Sequence, residues 1–211
     1  PRRDAQPQHS GPAPLPNTTA DTDKIPVCAT ISSSIISLPA GLVDLQSRTS
    51  VESVTTDRPV WLQRARDGWH HRGEQRPSFA EEPGPGQESV WDYPRPPAAI
   101  ADSRAVEVTD AEGLLARTDR SVRVLETSHP PAFYLPPESV IPGRLMPVPG
   151  SSHCEWKGAA EYVAVAGTSA PVGWRYPDPY AEFADYAGWV SFYPGRVRCT
   201  VDGEVVRPQE G

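Results

Sequence analysis

The 211-residue sequence predicts a mainly β protein: a compact domain of short antiparallel strands and hairpins with one short helix, preceded by a largely disordered N-terminal segment. Three observations predict it. Aromatic residues are concentrated late, with all seven Tyr, four of six Trp and three of four Phe after Gln87, so a core can form there. Beyond that point apolar residues recur in short alternating runs broken by Gly, Pro and Asp, the pattern of half-buried strands joined by turns. Before it, Pro, Ser, Thr, Gln and Arg follow one another without period. Such a segment buries too little apolar surface to offset the entropy of ordering its backbone.

The boundary falls at Glu81-Glu82-Pro83-Gly84-Pro85-Gly86-Gln87, where proline and glycine alternate and no side chain can pack. Residues 1–87 are therefore expected to be a disordered or non-native extension and linker. Residues 88–211 have the size of one β domain with one core. The chain starts at Pro1 without a methionine, which fits a fragment or an over-extended reading frame. In the first part only Asp57 to Arg72, with Trp61, Leu62 and Trp69, can form a short helical turn.

After the linker, Ala105 to Val108 alternates as a strand, Asp110 to Gly113 turns, and Leu114 to Arg117 returns. Val122 to Leu125 is a further strand, stopped by His129-Pro130-Pro131. Ala132 to Leu135 is short and aromatic. Pro136 to Val140 can start one helical or 3₁₀ turn, since proline suits a helix's first position. Tyr162 to Val165, Gly173 to Tyr176, Trp189 to Phe192 and Val197 to Val201 complete the strands, and Asp202-Gly203 marks a closing hairpin. The one helix is expected at Tyr180 to Gly188. There Phe183, Tyr186 and Ala187 share a face, and Asp178 offers an N-cap.

Charge narrows the partners. The formal net charge is −7, and from Glu88 onward seventeen acidic side chains face eleven basic ones. An acidic domain repels phosphate backbones, so no nucleic-acid partner is expected. No run approaches the length of a membrane span, so no membrane partner is expected either. Cys28, Cys154 and Cys199 form no C-x-x-C pair, which suggests reduced thiols and a cytoplasmic location. Ile25 to Leu45 is a poor secretion signal because Lys24, Pro26, Pro39 and Asp44 interrupt it. Nothing in the pattern specifies an oligomeric state.

The motifs leave three functional readings open. Cys154, Cys199, His129 and His153 are metal-ligating types, but they lack the closely spaced pairs of structural zinc, and no metal is expected. There is no phosphate-cradling G-x-x-x-x-G-K-[ST] or G-x-G-x-x-G, and no cofactor is implied. Cys154 stands near Lys157, whose ammonium could activate the thiol with His129 as base; the plainer alternative is a buried structural cysteine. Tyr93, Tyr134, Trp156, Trp174 and Tyr176 could wall a cavity, with Arg95, His129, Glu155 and Lys157 orienting a planar or cationic small molecule. The plainer alternative is an aromatic core, with an ion pair from Lys157 to a glutamate tying two strands together. The sequence thus favours a non-catalytic small-molecule-binding β domain. The others are a thiol-dependent or acid–base enzyme using Cys154 or His129, and a structural interaction module.

The ordered motifs carry a resemblance. Glu88-Ser89-Val90-Trp91-Asp92-Tyr93-Pro94-Arg95-Pro96-Pro97, Val124-Leu125-Glu126-Thr127-Ser128-His129-Pro130-Pro131 and Phe133-Tyr134-Leu135-Pro136 resemble motifs of the bacterial family called domain of unknown function 427. So do Cys154-Glu155-Trp156-Lys157-Gly158, Trp174-Arg175-Tyr176-Pro177-Asp178-Pro179 and Val190-Ser191-Phe192-Tyr193-Pro194. The resemblance spans about residues 88–211. It implies a compact β domain related to tent-like folds that hold a ligand between two sheets. The family has carried a nucleotidyltransferase-like label, which no residue here supports. Its members commonly continue into a glycine- and aromatic-rich tail, whereas this chain stops at Gln209-Glu210-Gly211.

Overall fold

The computed structural model describes residues 59–208. The expectations for residues 1–58, including Cys28 and the Ile25 to Leu45 stretch, and for residues 209–211 lie outside the described residues. The described chain is mainly β, as the sequence predicts. One helix, α1 (Val60–Asp67), precedes eleven strands: β1 (Ala98–Asp102), β2 (Val106–Asp110), β3 (Gly113–Thr118), β4 (Ser121–Leu125), β5 (Ala132–Tyr134), β6 (Leu145–Cys154), β7 (Gly158–Val165), β8 (Pro171–Arg175), β9 (Val190–Phe192), β10 (Arg198–Val201) and β11 (Glu204–Val205). They form three antiparallel sheets in the orders β1-β4-β5, β11-β10-β2-β3 and β6-β7-β8-β9.

Turn chemistry sets the hairpins. Between β10 and β11, Asp202 and Gly203 both have positive φ, 49° and 82°, the twist a two-residue hairpin needs. Asp202 also accepts a hydrogen bond from the Ala105 amide at 2.8 Å, which ties this turn to the start of β2. Between β2 and β3 the Asp110 carboxylate accepts from the amides of Glu112 and Gly113, and Arg144 grips both its oxygens at 2.7 and 2.8 Å.

The main core lies between the second and third sheets, where Val106, Val108, Leu115, Val163, Val172, Val190, Phe192 and Val197 pack together. A second cluster joins Val122, Val124, Tyr134, Ala160, Tyr176 and Phe183. A third holds Val90, Trp91, Tyr93 and Leu125. Leu135 and Val190 exchange both backbone hydrogen bonds, at 2.8 and 2.9 Å, so the end of β5 is stitched to β9. The sheets thereby surround a common interior.

The structure differs from expectation in three respects. The Ala181–Tyr186 segment is a 3₁₀ turn and not an α-helix, and its N-cap is Tyr180 with no side-chain bond, so Asp178 does not cap it. Five residues of apolar periodicity between a Pro-Asp-Pro turn and a glycine leave no room for the costly first α-turn to propagate. β1 and the ten-residue β6 are strands that no alternation announced. β6 contains Pro147 and Pro149 and a register shift between Val148 and Ser151, which a strand tolerates only at a sheet edge.

The third difference is in residues 59–87, expected to belong to the disordered extension, although the helical turn expected within Asp57 to Arg72 is present as α1. Their placement follows from long-range contacts absent from any local pattern. Leu62 and Arg66 of α1 are buried. Arg66 Nε donates to the Glu155 carbonyl at 2.7 Å, and its guanidinium stacks 4.6 Å from the Trp156 ring centroid. His71 and Phe79 each meet Trp91 edge-on at 5.3 Å. The segment is a strap across the β domain.

Candidate functional site

Glu126 is the centre of the charged cluster inside the domain. It follows the last residue of β4, and the next three residues turn sharply, with Ser128 at φ 69°. The turn is fixed from outside: the Thr127 hydroxyl donates to the Tyr93 carbonyl at 2.6 Å, and the Ser128 amide donates to the Val90 carbonyl at 3.0 Å. Lys157 arrives from the turn between β6 and β7. Gly158 follows it at φ 104°, where a Cβ would meet the Asp178–Pro179 backbone, so the Lys157 chain can sit tight against that loop.

Lys157 Nζ donates to Glu126 Oε2 at 2.7 Å, with both side chains largely buried. Arg95 Nη2 donates to the Thr127 carbonyl at 2.7 Å and to Glu126 Oε1 at 3.2 Å. His129 Nδ1 lies 3.0 Å from the Thr127 carbonyl. Burial alone would push the Glu126 carboxyl up, but the Lys157 ammonium, then His129 and Arg95, hold it below the usual range. Burial likewise works against the Lys157 charge, and the Glu126 carboxylate overrides it and raises Lys157 above its ordinary value. The pair is therefore ionised at neutral pH, and Lys157 is a fixed cation and not a nucleophilic amine. Tyr134 is pushed up to about 12 by burial, and Tyr176 is raised by burial and by its Tyr134 neighbour. Both phenols stay neutral.

These groups face a cavity of about 1090 Å³ among the three sheets. Of the sequence-predicted residues, His129, Tyr134, Cys154, Glu155, Lys157, Trp174 and Tyr176 line it. Trp174 Nε1 donates to the Tyr134 hydroxyl at 2.9 Å, and the Tyr134 and Tyr176 rings stack at 6.4 Å. The other three lie off the wall. Tyr93 sits in the third core cluster, its hydroxyl donating to Glu88 at 2.6 Å. Trp156 is buried under Arg66. Arg95 stands behind Glu126, its side chain fully buried and its guanidinium 3.3 Å from the Trp69 ring centroid.

The wall also contains residues outside the sequence-derived set, notably Glu126, Trp69, Phe133, Tyr193, Arg196 and Arg207. Glu126 had a signal: a buried lysine needs a carboxylate, and Glu126 stands inside one of the quoted motifs. Trp69 had none, because it comes from the strap, where its Nε1 donates to Glu155 Oε1. Cys154 and Cys199 are free thiols, Cys154 partly buried on the cavity wall and Cys199 buried. Burial pushes the Cys199 thiol up to about 12, which makes it a core residue and not a nucleophile. His153, exposed, also borders the cavity, and its Nε2 lies 2.9 Å from the Tyr180 hydroxyl.

The described residues thus form an antiparallel β domain in which aromatic clusters surround a buried ion pair. The model of the family described as domain of unknown function (DUF427) matches residues 98–203, half of the chain, and the chain belongs to that family. No curated protein matches it.

Proposed function

We propose that this chain is a small-molecule-binding β domain whose ligand occupies the cavity among the sheets. The cavity itself carries the reading. At about 1090 Å³ it is ample for a drug-sized molecule, and Phe133, Tyr134, Trp174, Tyr176 and Tyr193 give it aromatic walls. Glu126 and Lys157 supply the few oriented polar groups such sites use. Cys154 and His129 both line the cavity, and among the described residues no hydrogen bond joins them. A thiol nucleophile needs a base within hydrogen-bond reach, so binding is favoured over catalysis. The unpaired thiols Cys154 and Cys199 fit a reducing cytoplasmic setting, and the acidic net charge disfavours nucleic acid.

A neutral fluorescent aromatic, N-phenyl-1-naphthylamine, tests the reading. It is expected to bind the full chain with a saturable rise in emission. Ser152 lines the cavity from an exposed position on the edge strand β6, so Ser152→Trp puts a bulky ring across the ligand space without disturbing the core. That variant should melt like the parent and lose the probe. Undiminished binding to Ser152→Trp would sink the proposal.

A further inference from the structure

The carboxylates in the cavity wall have partners, and two of its guanidinium groups have no carboxylate partner among the described residues. Glu126 holds Lys157 and Arg95, and Glu155 accepts from Trp69. Arg196 and Arg207 line the same cavity from exposed positions. They sit on neighbouring segments, since a Cβ on Gly195 would lie 3.3 Å from Pro208 Cβ. Arg196 spends one N–H on the Pro171 carbonyl at 2.6 Å and lays its guanidinium 5.1 Å from the Tyr193 ring centroid. Tyr193 packs in turn on Trp174 at 4.6 Å with a 40° tilt.

Neither arginine has a carboxylate partner among the described residues, whereas Arg104, Arg144 and Arg175 are each paired with an acid. In a protein of formal net charge −7, the arginine charge left uncompensated around this cavity is positive. A guanidinium offers parallel N–H donors that match an oxyanion, and an adjoining ring surface suits a flat apolar body. Of the two glutamates, Glu126 is already paired with Lys157 and Arg95, and Glu155 holds the Trp69 indole.

We infer that the cavity takes a planar aromatic molecule bearing an acidic group, with its ring against Trp174 and Tyr193 and its anion on Arg196 and Arg207. This rests on the cavity being a ligand site and names the chemical class of the ligand.

Two probes with the same ring system test it. 8-Anilinonaphthalene-1-sulfonate carries a sulfonate that N-phenyl-1-naphthylamine lacks. Titrated against the full chain at low salt, the sulfonate is expected to bind about tenfold more tightly. Its advantage should shrink as added salt shortens the Debye length to ~10 Å and below. In the R196Q/R207Q variant the affinity ratio should fall to about one, while Arg198→Gln, exposed and off the cavity wall, should leave it at the parent value. Equal affinities in the parent overturn the inference, as does a ratio that Arg198→Gln lowers as much as the double variant. If the neutral probe binds, is lost in Ser152→Trp, and the sulfonate gains nothing, the cavity stands and the anion falls. If neither probe binds, both fall.

Discussion

Lys157 and Glu126 show what a buried charge demands of its surroundings. Their side chains are 7% and 12% exposed, so removing one partner strands the other in a poorly solvating interior. Lys157→Met is expected to lower unfolding free energy by about 3 kcal/mol in denaturant titration, while the double variant E126Q/K157M recovers part of that loss. The same pair sets an acid limb. The folded-state value for Glu126 lies below its ordinary 4.5, so its contribution is fully present above pH 4.5 and is lost as pH falls through the folded value. Melting curves should therefore show a smaller drop between pH 7 and pH 3 in E126Q/K157M than in the parent. An equal drop would place the acid sensitivity elsewhere. At this scale the sequence was informative about Lys157, because a lysine set among rings needs a partner. It was uninformative about Tyr93, Arg95 and Trp156, because an aromatic or arginine in a motif reads alike whether it faces a cavity or a core.

Among the elements, the strap of residues 59–87 is the one whose role its own sequence hides. Its helix is short, and isolated helices of eight residues do not persist in water. What holds it is tertiary: Arg66 on Glu155 and Trp156, Trp69 on Arg95 and Glu155, His71 and Phe79 on Trp91. Because Trp69 lines the cavity and lies before the family-matched region, the strap adds a wall that the matched β scaffold does not include. Arg66→Ala removes the anchor common to two of these contacts. It should raise amide hydrogen exchange across residues 60–72 by about tenfold or more while exchange in β7 and β8 stays at parent rates. Parallel acceleration in the strands would mean that the strap is integral to the fold and not an addition to it. The hairpins, by contrast, were readable: Asp110 to Gly113 and Asp202-Gly203 carry their turn geometry in their own side chains.

For the whole molecule, three sheets share one interior, and that arrangement explains why the strand list was easier to read than the site. Strands announce themselves by alternation, which is local. The cavity is assembled from residues of β2, β4, β5, β6, β8, β9 and β10, the strap and the segment after β11, and no spacing in the chain records that meeting. Leu115, fully buried in the main cluster away from the cavity, should cost about 2–5 kcal/mol when changed to Ala. β6 has a further consequence for the molecule in a crowded solution. It is the outer strand of its sheet, ten residues long and mostly exposed, and a bare flat edge of that length invites another chain to add on. Pro147 and Pro149 withhold two amide donors, and the bulge before Ser151 breaks the rhythm a docking strand would need to match. The irregularity that made β6 unreadable as a strand is thus a guard against fibre-like self-association.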